Sequence, residues 1–163
     1  MSSLSSLQVL LVDDNQHMRA ITSAILKAAG IRKILEVSDG SSALALLRQH
    51  PIDIAIVDFN MLPMDGVEFT RLVRKSPESP NAYLPIIMMT GHSEKNRVME
   101  ARDAGVTEFM VKPITAKAVF DRIHAVIVRP RPFIKSRNYF GPDRRRSSPP
   151  AYDGEKRRHD DKT

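Results

Sequence analysis

Residues 52–66 read IDIAIVDFNMLPMDG, and the fold turns on this stretch. A six-residue apolar run, with Asp53 its only charge, ends abruptly in Asp58. A loop follows that holds Pro63 and closes in Asp65-Gly66. A short apolar run bounded by turn signals suits a strand buried on both faces of a parallel sheet. Ligands in such sheets bind at the carboxyl ends of strands. Asp58 is therefore a candidate site carboxylate, although an Asp at such a place can also do no more than cap a turn.

Working outward from it, residues 7–12 are apolar but for Gln8 and form a first buried strand, ending in Asp13-Asp14. Met18, Ile21, Ile25 and Ala28 recur at helical spacing, and Gly30 supplies the stop. Residues 33–37 read as a second strand, and a helix after the turn at 38–42 ends at His50-Pro51. The third strand is residues 52–57, followed by a helix over 66–75 and a surface loop over 76–84. Residues 85–90 (PIIMMT) give a fourth strand and 93–104 a helix stopped by Gly105. Residues 108–111 give a fifth strand, and 115–128 a last helix closed by Pro130. Five strands alternating with five helices predict an α/β fold with a parallel sheet covered on both faces. With right-handed crossovers, the favoured topology is the flavodoxin-like, doubly wound order 2-1-3-4-5.

That order sets Asp13-Asp14 and Asp58 on adjacent strands roughly 4.8 Å apart. Two carboxylates at 4 Å repel by about 4 kcal/mol at an effective dielectric near 20. Either a proton is shared or a cation sits among them. An all-oxygen donor set favours a hard ion such as Mg²⁺. Thr90 ends the neighbouring strand, and Lys112 ends the strand beyond, from which only a long side chain reaches the centre.

These residues carry a resemblance. Val12-Asp13-Asp14-Asn15, Asp58 with Met61 and Asp65-Gly66, Thr90-Gly91 and Val111-Lys112-Pro113 resemble the receiver domain of bacterial two-component response regulators, over about residues 7–128. The resemblance implies that Asp58 accepts a phosphoryl group from a histidine kinase or phosphotransfer protein. It implies that Asp14, Asp58 and the Asn60 carbonyl bind Mg²⁺, with Asp13 acting mainly through water. Lys112 would neutralise transferring oxygens, Thr90 would swing to the aspartyl phosphate, and Phe109 would be the aromatic that follows it. Phe109 can equally be an ordinary core aromatic. Pro113 would follow a cis peptide. Asn60 and His92 occupy positions that tune phosphate lifetime in the family. The molecule would be a cytoplasmic phosphoprotein switch rather than an enzyme, relaying its signal to an output protein. The surplus apolar residues of the last helix make the face of helix four, strand five and helix five a pairing surface, including for a homodimer. Two features depart from the family: Leu62 intervenes between Met61 and Pro63, and the 76–84 loop is slightly long. A dehalogenase-type phosphatase would need an acid where Asn60 stands, because an amide transfers no proton.

Charge divides the chain. Residues 1–128 hold 14 basic and 14 acidic side chains, whereas residues 129–163 hold 11 basic and 5 acidic ones, so the net +6 lies entirely in the tail. Five of the 11 prolines lie there too, which marks a boundary near Val128. The expectation is a receiver domain over 1–128 and a basic, Pro-rich, disordered C-terminal tail over 129–163, whose removal leaves folding nearly intact. Within the tail, Tyr139 to Arg146 is weakly repeated from Tyr152 to His159. An alternative function follows: phosphorylation-gated binding of nucleic acid or an anionic surface through Arg144–Arg146 and Arg157-Arg158. No cysteine is present for disulfide or thiol chemistry, and no apolar run approaches the roughly 20 residues of a membrane span.

Overall fold

The computed structural model describes residues 3–144. Five parallel strands form the sheet: β1 (Gln8–Val12), β2 (Lys33–Val37), β3 (Ile54–Asp58), β4 (Ile86–Thr90) and β5 (Glu108–Val111), in the order β2-β1-β3-β4-β5. The expected topology holds. Strands β3 and β4 are buried along their whole length, which is why they read as unbroken apolar runs rather than alternating ones. The β3 strand starts two residues later than the apolar pattern begins; at Asp53 the backbone amide donates to the Gln8 carbonyl at 2.9 Å, but the Gln8 amide bonds to the Asp53 side chain, Oδ2, at 2.8 Å.

Helices α1 (Gln16–Ala28) and α5 (Ala116–Val128) cover one face, where Leu11, Leu26, Ile56, Ile87, Met110 and Ile123 pack together. The other face carries α2 (Gly40–Gln49), α3 (Gly66–Lys75) and α4 (Val98–Ala104), packed over residues such as Leu10, Val57, Phe69, Leu84 and Met88. Four helices begin on a side-chain cap that meets an otherwise unpaired amide. Asn15 caps Met18, Asp39 caps Ser42, Asp65 caps Glu68 and Thr115 caps Ala118. All four caps lie just beyond strand carboxyl ends, so the capping chemistry and the candidate site share one edge of the sheet.

The helix expected over 93–104 is divided. Its first part is a 3-10 segment, His92–Arg97, and only Val98–Ala104 is α-helical. Gly91 has no side chain to cap the start, and the Glu94 carboxylate reaches back to its amide instead. The far end closes on Gly105, whose φ of +113° only glycine adopts without strain. A Cβ there would also lie 2.8 Å from Cγ of Arg74.

The tail expectation needs correction over its first part. Phe133–Lys135 (β6) and Phe140–Pro142 (β7) pair antiparallel as a hairpin. Phe133 packs tilted and Phe140 edge-on against Tyr83, with ring centroids 4.8 and 5.4 Å away, and Tyr139 is buried with its hydroxyl donating to the Pro142 carbonyl. The guanidinium of Arg74, itself buried, lies 5.0 Å from the centre of the Phe133 ring. Arg131 bonds to Glu108 at the start of β5, and Arg144 to Asp103 on α4. Aromatic residues that could build no core within the tail find one on the domain. Residues 145–163, including Arg145, Arg146, Arg157, Arg158 and the second copy of the repeat, lie outside the described residues.

Candidate functional site

Parallel pairing sets the site. Val12 is opposite Val57 in β1 and β3, so Asp13 and Asp58 emerge side by side from adjacent strands. Both are buried, with 2% and 4% of their surface exposed. Asp13 Oδ1 accepts from the Asn15 amide at 3.0 Å, and its carbonyl accepts from Arg19. Asp14 is exposed, and its Oδ2 accepts from the Leu62 amide at 3.0 Å, fastening the loop after β3 across the pocket. Gly66 lets α3 begin against this loop, since a Cβ there would stand 2.7 Å from the carbonyl oxygen of Asp58.

Lys112 reaches across β4 from the end of β5. Its ammonium lies 2.5 Å from Asp58 Oδ1, an oxygen that receives no hydrogen bond among the described residues. Burial pushes the Asp58 carboxyl up to about 6; Lys112 opposes the rise, while the charges of Asp13 and Glu94 add to it. Asp13 is raised as well, chiefly by burial, with the Asn15 amide and Lys112 working against it. Thr90, buried at the end of β4, completes the rim. Phe109 is half-buried against the α4 side, and its carbonyl accepts from Arg122 Nε at 2.8 Å. The Lys112–Pro113 bond is cis, as the resemblance implied, and so is Leu62–Pro63, which no sequence signal announced. His92 is exposed at the loop surface.

The donor set fits a hard divalent cation: oxygen atoms only, with a buried carboxylate oxygen that has a lone ammonium for company. The carboxylates do not already converge on one point, however; among the described residues no three acidic or histidine groups surround a common metal position. Asp14 is turned to the Leu62 amide, and Lys112 occupies the approach to Asp58.

The sequence reading missed Glu94. Its carboxylate is almost fully covered and accepts hydrogen bonds from the Gly91 amide, the Ser93 hydroxyl and the Asn60 side chain. The available signal was a Glu three residues beyond the Gly91 turn, the spacing at which an N3 carboxylate bonds back to a helix start.

Comparison with known proteins agrees with this geometry. The profile of the response regulator receiver domain matches residues 9–124. The chemotaxis protein CheY of Pseudomonas aeruginosa is 32% identical over 123 residues, covering 76% of this chain and 98% of the relative. CheY-3 of Vibrio cholerae is 31% identical, covering 76% and 94%. Among solved structures, CheY4 of Vibrio cholerae superposes with a TM-score of 0.65 at 32% identity, covering 74% of this chain and 98% of that one. The receiver domain of a Pseudomonas aeruginosa sensor histidine kinase, with a magnesium ion coordinated in its active-site cleft, gives 0.63 at 26% identity, covering 73% and 94%. The buried acid pair, its lysine and the sheet that presents them thus place the chain in the response regulator receiver domain family, the phosphorylation-dependent signalling module of two-component systems.

Proposed function

We propose that Asp58 is the phosphoacceptor and that the molecule is a switch between a histidine kinase or phosphotransfer protein and an output protein. The observation that carries this reading is the Lys112–Asp58 contact at 2.5 Å beside buried Asp13. In the transfer, an Asp58 oxygen bonds to phosphorus as the phosphorus–nitrogen bond of a phosphohistidine breaks, and the leaving imidazole keeps the electron pair. Lys112 stabilises the charge gathering on the phosphoryl oxygens, which is where most such catalysis arises. Asp13, Asp14, Asp58 and the Asn60 carbonyl would hold Mg²⁺. When bound, the ion supplies charge neutralisation for the carboxylates and the incoming phosphoryl group. Thr90 offers a hydroxyl to the new phosphate, and Phe109 repacks with it. The signal leaves through α4, β5 and α5, where Met99, Val111, Phe120 and Ile127 are exposed. On this reading residues 1–128 are the switch, and the hairpin of residues 133–142 packs against it.

The test uses acetyl phosphate and Mg²⁺ on the full chain. One acid-stable, base-labile phosphate is expected, lost in Asp58→Asn and weakened in Asp14→Ala with reduced Mg²⁺ affinity. Equal labelling of Asp58→Asn would overturn the assignment.

A further inference from the structure

Glu94 belongs to none of the strand ends that carry the acid site, yet it is tied into it. Oε1 accepts from the Gly91 amide, and Oε2 accepts from the Ser93 hydroxyl and from Asn60 Nδ2, each at 2.5 Å. The Asn60 bond joins the loop after β3 to the segment after β4, across 34 residues of sequence. Only 6% of Glu94 is exposed, so these partners cover it closely. All three partners donate to it, so the side chain acts here as a carboxylate acceptor.

An ionised carboxylate accepts hydrogen bonds and cannot donate them, so only the NH₂ end of the Asn60 carboxamide can face it. That fixes both the side-chain direction and the sense of the amide. Oδ1 then points away from Glu94 and accepts no side-chain hydrogen bond among the described residues, leaving it as an acceptor. Asn60 is exposed on the loop that leaves β3, two residues after Asp58, so its carboxamide meets solvent at the edge of the sheet where that carboxylate ends its strand.

We infer that Glu94 is a positioning residue for loss of the phosphoryl group from Asp58. Holding the NH₂ end of Asn60, it presents Oδ1 as the acceptor that orients the attacking water. This rests on Asp58 being the phosphoacceptor. In the step, the water oxygen bonds to phosphorus while the bond between phosphorus and the Asp58 oxygen breaks. The electron pair returns to the Asp58 carboxylate, which Lys112 stabilises. The proton lost by the water passes to solvent, and orthophosphate departs. Without the carboxylate, the carboxamide can turn over and offer N–H to the water, which is the wrong polarity.

The experiment follows phosphate loss after the full chain is loaded with acetyl phosphate and Mg²⁺ and the donor is removed. Glu94→Gln keeps the size and an acceptor for the Gly91 amide. It and Asn60→Ala should each lengthen the phosphate lifetime by roughly fivefold to tenfold, the rate equivalent of one hydrogen bond. The double variant should be no slower than either single one, because both act through the same contact. A readout on the unphosphorylated protein stands apart from this: the side-chain NH₂ resonances of Asn60 should move in Glu94→Gln, while core amide resonances stay in place. Unchanged lifetime in a labelled Glu94→Gln protein, additive effects in the double variant, or an unmoved Asn60 side-chain signal would each overturn the inference. Failure of Asp58 to take phosphate in the unaltered protein is a different result: it removes the phosphoacceptor reading, and this inference with it.

Discussion

Replacing Asp58 by Asn should make the protein more stable, and only above mildly acidic pH. The Asp58 carboxyl is raised from 3.8 to about 6 in the folded chain, with burial the leading cause. A group raised on folding favours the native state while it is protonated. That advantage is intact below pH 3.8, fades as pH rises, and is gone above about 6. The difference of roughly two pKa units corresponds to about 3 kcal/mol at neutral pH. Asp58 is almost wholly buried, so solvent screening takes little from this figure. For a domain of this size the gain translates to about 10 °C in Tm. The assay is thermal or urea unfolding of the original protein and Asp58→Asn in metal-free buffer, from pH 4 to pH 8. The two should nearly coincide at the acidic end and separate progressively up to about pH 6. Added Mg²⁺ should close part of the gap by stabilising only the protein that keeps the carboxylate, by about 1.4 kcal/mol at ten times its Kd. Equal stabilities at pH 7.5, or a difference that ignores pH, would refute the idea that burial of the Asp58 charge costs more than Lys112 returns.

Arg74→Ala should destabilise the domain by about 3 kcal/mol in urea titrations, because it strands the Gly105 and Ala82 carbonyls and the Thr107 hydroxyl that the guanidinium bonds. Deleting residues 129–163 should cost about 2 kcal/mol by the same measurement, through loss of the ring contacts to Tyr83 and the cation–π contact to Arg74. Arg144→Ala should change stability by less than about 1 kcal/mol, since its ion pair with Asp103 is exposed. Amide exchange along α4, β5 and α5 should alter on phosphorylation and stay unaltered in Asp58→Asn.

The acid site was legible because its members stand where strands stop. Each of Asp13, Asp58, Thr90 and Lys112 follows or ends an apolar run, and parallel pairing converts that sequence position into neighbourhood. Lys112 was the least local of them, and its reach across β4 to Asp58 was inferable from side-chain length alone. Glu94 and the Leu62 amide escaped because they arrive from outside the strands, one from a 3-10 segment and the other from a loop. Their contacts to Asn60 and Asp14 depend on how two turns lie against each other, and no periodicity records that.

The hairpin was hidden for a different reason. Net charge and proline content separate residues 129–163 cleanly from the rest, and both are averages. Folding of this segment is decided by a few particular side chains. Phe133, Tyr139 and Phe140 are too few to bury one another, so on their own they predict nothing. What they need is supplied elsewhere: Tyr83 in the loop before β4, and Arg74 on α3, a buried cation with no acidic partner among the described residues. Burial pulls the Arg74 pKa down to about 10, so it remains charged at neutral pH. A charge buried in that way is held by dipoles and π faces, and the Phe133 ring is one of the groups that hold it. The slightly long 76–84 loop was thus the visible half of the feature, since it carries Tyr83 outward to where the hairpin's rings pack. Domain and hairpin complete each other, and a reading that divides them by composition has to miss both the host and the guest.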